Sequence, residues 1–90
     1  MIEKVMELRG IPVSALVTYL TECGGEAKSE SLPIQVVGDQ WQAEILREEQ
    51  VRITSRFHVN AVFIRMTALG PESFERLMAQ FRLKILRVGG

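Results

Sequence analysis

Val13, Leu16, Val17 and Leu20 recur at i, i+3, i+4 and i+7, between Pro12 on one side and Gly24-Gly25 on the other. That spacing lays an apolar stripe along one face of a helix. Pro12 suits a first helical turn, where a fixed φ and a missing N–H do no harm. Gly24 suits the stop, because glycine enters the left-handed conformation without steric penalty. A helix with such a stripe has to bury it against a second layer, so the rest of the chain must supply one.

Alternation with a period of two supplies it. Ile2 to Arg9 alternates up to Gly10 and reads as a first strand. Residues 26 to 32 are polar, either a loop or a weak edge strand. Pro33 to Val37 reads as a short strand, with Pro33 at its start where a lost donor matters least. Gly38-Asp39 is turn chemistry. Trp41, Ala43 and Ile45 alternate with Gln42 and Glu44, and Glu48-Glu49-Gln50 reads as a polar reversal. Val51, Ile53, Ser55, Phe57 and Val59 then alternate with Arg52, Thr54, Arg56 and His58. Asn60 marks a further reversal, after which Ala61 to Ala68 resumes β-type residues. Gly70-Pro71-Glu72-Ser73 repeats the helix-start signal, and Phe74, Leu77, Met78, Phe81 and Ile85 keep helical spacing. Periodicity leaves Ile85 to Val88 open between the end of this helix and a final strand.

The order β-α-β(4)-α predicts one α+β domain over residues 1–90, an antiparallel sheet with two helices on one face. Trp41, Ile45, Val51, Ile53, Phe57, Val62, Ile64 and Met66 are expected to meet the helices. Met6 and Met78 fall on apolar stripes as well. With Ile85 to Val88 as a strand, the arrangement becomes a ferredoxin-like βαββαβ sandwich instead.

Ninety residues hold one domain, and 47% apolar content is that of a globular chain rather than a disordered one. Eleven basic and eleven acidic residues cancel. Phosphate-backbone binding draws on a Lys and Arg excess, so the charge balance argues against nucleic acid as a partner. It also removes one defence against self-association, which makes a homodimer or a partner protein plausible. Cys23 is the only cysteine, which excludes an intrachain disulfide and a thiolate metal cluster. No membrane span is present, and the charged start Met1-Ile2-Glu3-Lys4 lacks a secretory signal, so a cytoplasmic location is expected.

Catalytic machinery is not evident. His58 is the single histidine, and no serine sits in a Gly-x-Ser-x-Gly elbow. No phosphate loop of either standard type occurs. Neither a metal site nor a cofactor is expected. The chemistry that alternation does suggest lies on the sheet face away from the helices. Arg52, Thr54, Arg56 and His58 fall on that side of one strand, and a tight hairpin at residues 59 to 61 would bring Phe63, Arg65 and Thr67 beside them. Guanidinium groups, hydroxyls and a ring suit a small, partly planar anion. The same residues also suit an ordinary solvated face balanced by partners such as Glu44.

The helix opening Ile11-Pro12-Val13 and closing at Gly24-Gly25, the β-α-β(4)-α order and the basic, leucine-rich last helix running into Gly89-Gly90 together resemble a small bacterial family of uncharacterised domains. That family also occurs as the C-terminal half of a protein related to the small subunit of molybdopterin synthase. The resemblance implies a fold similar to the TATA-box-binding protein, with a curved sheet and both helices on one face. It implies no catalytic residues. Its context is molybdopterin and sulfur-carrier metabolism. The ending Leu86-Arg87-Val88-Gly89-Gly90 is similar to that of sulfur carriers activated at a terminal glycine carboxylate, which gives a second expectation, covalent carriage at Gly90. Those carriers open with a strand–strand hairpin, however, whereas here a helix follows the first strand. The expected function is therefore a non-enzymatic binding or interaction module.

Overall fold

A computed structural model describes residues 1–86. Seven elements follow in order: β1 (Ile2–Arg9), α1 (Val13–Glu22), β2 (Glu26–Ala27), β3 (Ile34–Gly38), β4 (Trp41–Thr54), β5 (Phe57–Ala68) and α2 (Pro71–Leu86). The strands form one antiparallel sheet in the order β1-β5-β4-β3-β2. The α+β class and the β-α-β(4)-α order are those expected. α2 carries through Ile85 and Leu86, so those two residues are helical and the ferredoxin-like alternative is not adopted.

The helix signals act as their chemistry requires. Pro12 is extended, at φ −69 and ψ 151, and α1 starts at the next residue. At the other end Gly24 takes φ +101. Its N–H donates to Thr21 O at 3.0 Å, and the N–H of Gly25 donates to Leu20 O at 3.1 Å. This paired closure satisfies carbonyls that a helix end otherwise leaves without partners. At the start of α2 the Ser73 hydroxyl accepts from Gly70 N and donates to Gly70 O. Lys84 and Glu22 join the two helices through an ion pair of 3.0 Å.

The core lies between the helices and one face of the sheet. Leu16 and Leu20 of α1 and Leu77, Met78 and Phe81 of α2 pack with Ile34, Val36, Ala43, Ile45, Val62, Ile64 and Met66. Both helices thus cover the same side, and among the described residues no layer lies over the other side of the sheet.

The middle strands differ from the sequence expectation. β4 runs without interruption through Glu48-Glu49-Gln50, and the reversal falls at Ser55-Arg56. These polar residues lie where β4 has passed beyond β3, so water reaches their side chains and the outer edge of their backbone while β5 pairs the inner edge. Asn60 is no turn. Its side-chain amide donates to Ile11 O at 2.6 Å and to Glu48 Oε2 at 3.0 Å, tying β5 to the approach of α1.

Val51, Ile53 and Phe57 are not core either; Ile53 is 50% exposed and Phe57 56%. Phe57 opens β5 on the side of Phe63, and for Val51 and Ile53 the reason is a bulge in β4 between Ile45 and Arg47. One extra residue in a period-two element reverses which side every later side chain faces. Before the bulge Trp41, Ala43 and Ile45 face the helices; after it Glu48, Gln50 and Arg52 take that side, exposed beyond the helices' reach. Beyond Glu49 and Ala61 the sheet narrows to the β4–β5 ribbon alone, an arm that contributes to the 43 Å long axis.

Candidate functional site: the uncovered sheet face

β5 lies between β1 and β4, so its outward residues meet charge from both sides. Arg65 is opposite Val5 of β1 and Glu44 of β4. Its guanidinium lies 3.3 Å from Glu44 Oε1 and 3.9 Å from Glu3 Oε1. Phe63 is opposite Glu7 and Arg47, and the Arg47 guanidinium sits 4.3 Å above its ring. Arg47 also pairs with Glu49 at 3.1 Å, and Arg9 with Glu7 at 3.2 Å. Each exposed pair is worth at most about 1 kcal/mol to stability. Their joint effect is electrostatic: each arginine of this row already has a carboxylate at hand. Val5, 52% exposed, lies among them.

The expected cluster therefore divides. Phe63 and Arg65 lie on the uncovered face. Arg52 and His58 are direct partners across the arm, on the side that the helices cover farther along the sheet. Thr54 is opposite Phe57, beyond a second register shift between Arg52 and Thr54. Arg56 is in the turn, where its N–H donates to Thr54 Oγ1 at 3.3 Å. Alternation joined them in one patch through a hairpin at residues 59 to 61; β5 instead runs unbroken from Phe57, so His58 and the pair Phe63 and Arg65 face opposite sides of one strand. Arg47, Glu3 and Glu49, which do build the face, carry no sequence mark of their own; only the register brings them beside Phe63 and Arg65. Gly89 and Gly90 lie outside the described residues.

Cys23 follows α1, half-buried against the core. Burial pushes its thiol upward; Lys84 opposes this in part, and Glu22 adds to it. His58 is far from it. Gly25 approaches Trp41 at the start of β4, whereas His58 faces Arg52 near its end, roughly 30 Å away along the strand. A thiol–imidazole pair is thus precluded. Among the described residues no three His, Cys, Asp or Glu side chains gather to hold a metal ion. No described helix is long and apolar enough to cross a membrane.

Comparison with curated proteins and with solved structures returns no match. A family match does cover nearly the whole chain, residues 4–90, and it supports the MoaD-related part of the resemblance, MoaD being the small subunit of molybdopterin synthase. The chain belongs to the family described as archaeal MoaD-like protein.

Proposed function

We propose that this domain is a non-enzymatic interaction module of the sulfur-carrier machinery, acting in the cytoplasm and docking a protein partner through its uncovered sheet face. One observation carries the choice of a protein over a free anion: the arginines of the face are neutralised in place. A small anion would have to separate Arg65 from both Glu44 and Glu3, whereas a protein surface can exchange one set of pairs for another. The Arg47–Phe63 stack, flanked by exposed Val5, offers the aromatic and guanidinium anchors on which protein interfaces concentrate their affinity. We hold the fold to be of the TATA-box-binding-protein kind on the strength of its element order and of two helices on one sheet face.

Titration with the purified sulfur carrier and adenylating enzyme of the same organism tests this. Binding to one of them should weaken at least about tenfold in Phe63→Ala/Arg47→Ala. It should persist in Arg52→Ala/Arg56→Ala, which leaves the face intact. If neither protein binds, and pyrophosphate binds in a manner abolished by Arg52→Ala/Arg56→Ala, the anion site takes its place. The family match reaching residue 90 supports a second reading, covalent carriage at Gly90. Its test is the intact mass of the protein from its own host, where a thiocarboxylate would appear as the replacement of one oxygen by sulfur.

A further inference from the structure

Among the described residues the outer edge of β4 is open over residues 47–54, because its pairing with β3 covers only Trp41 to Ile45. The direction of its backbone groups follows from one contact. Asn60 O accepts from Gly10 N at 3.0 Å, so the backbone groups of Asn60 point toward the β1 side of β5. Alternation turns those of Val59 and Ala61 toward β4, where their partners are Val51 and Glu49. The N–H and C=O groups of Glu48, Gln50 and Arg52 then point outward, at the free edge.

Charges on such an edge ordinarily keep other strands away. Here their order is self-complementary. When two copies of this edge run antiparallel about a two-fold axis through Gln50, Gln50 meets its own counterpart, and Glu48 of each copy meets Arg52 of the other. All three of these residues have outward-facing backbone groups, so this register forms about six hydrogen bonds between the copies. An axis two positions away, at Arg52, would set Arg52 against Arg52, and one at Glu49 would set Glu49 against Glu49. Arg52 has no ion-pair partner among the described residues, and Glu48 accepts a hydrogen bond only through Oε2. In this register the exposed Ile53 near the arm tip would lie opposite Arg47 of the second copy's β4, next to its Leu46.

We propose that this domain forms a symmetric homodimer by antiparallel pairing of β4 with β4 of a second copy, in the register that sets Glu48 against Arg52. The interface uses the strand edge, so it stands apart from the sheet-face docking proposed above. The protein-binding titration bears on that reading and not on this one.

Sedimentation of the purified chain from micromolar to millimolar concentration should show a dimer. Arg52→Glu and Glu48→Arg should each weaken it at least about tenfold, and the double swap should restore it. Circular dichroism checks that each variant keeps its fold, since Glu48 also holds Asn60. In a Cys23→Ser background, Gln50→Cys should form an intermolecular disulfide on mild oxidation. Directly opposed residues of this kind lie about 5.5 Å apart at Cα, within disulfide reach. A chain that remains monomeric at millimolar concentration overturns the proposal. So does a dimer that ignores both reversals, or a folded double swap that stays dissociated and whose Gln50→Cys counterpart does not cross-link.

Discussion

A Cβ at Gly38 would collide with the Trp41 indole, which folds back over the turn between β3 and β4. The site requires glycine for space, and the clash involves a partly buried ring packed on the core. Gly38→Ala should therefore destabilise the domain by about 1–3 kcal/mol, the range for overpacking, read as a lower midpoint in urea. Cys23 gives a residue-scale test of a different kind. Its thiol is raised above 9.0, first by burial, so less thiolate is present near neutrality than in an exposed cysteine. Alkylation by iodoacetamide at pH 8 should be slower than for a free thiol and should accelerate with rising pH or on unfolding. Lys84→Met, which removes the opposing positive charge, should slow it further. The linkage sign follows from the same shift: whatever stability the neutral thiol contributes is present below the unfolded-state value and is lost as pH rises through the folded one.

Among the elements, the ribbon should be the loosest. Beyond Glu49 and Ala61 it has two strands, no helix cover and exposed side chains. In the isolated monomer its amides from Val51 to Val59 should exchange orders of magnitude faster than those of Ile64 and Met66, measured by hydrogen–deuterium exchange. These elements also differ in how far their sequence disclosed them. β1, α1 and the start of α2 were legible because Gly10, Pro12, Gly24, Gly70 and Pro71 act on φ directly. The arm was not. Ser55-Arg56 turns the chain without Gly, Pro or Asn, while Asn60, which has turn chemistry, serves as a clamp on Ile11 O. With the turn at Ser55-Arg56, β5 runs unbroken and separates His58 from Phe63 and Arg65, while the bulge after Ile45, which brings Arg47 opposite Phe63, carries no compositional signature at all. Alternation correctly paired Arg52 with the side of His58. It could not tell that Phe63 and Arg65 lie on the opposite side.

Over the whole molecule, neighbours in the sheet are not neighbours in sequence at one edge. β4 and β5 meet across a two-residue turn, whereas β1 reaches β5 with Ile2 opposite Ala68. Closing the larger loop costs roughly 3 kcal/mol more in chain entropy than closing the hairpin. That asymmetry sets an order in time. Of these strands β1 is made before its partner residues 61–68, whereas the β4–β5 hairpin can form locally as soon as β5 is made. The earliest of the five strands is then the last to dock, and a chain halted before Ala61 can pair β2, β3 and β4 but leaves β1 without its neighbour.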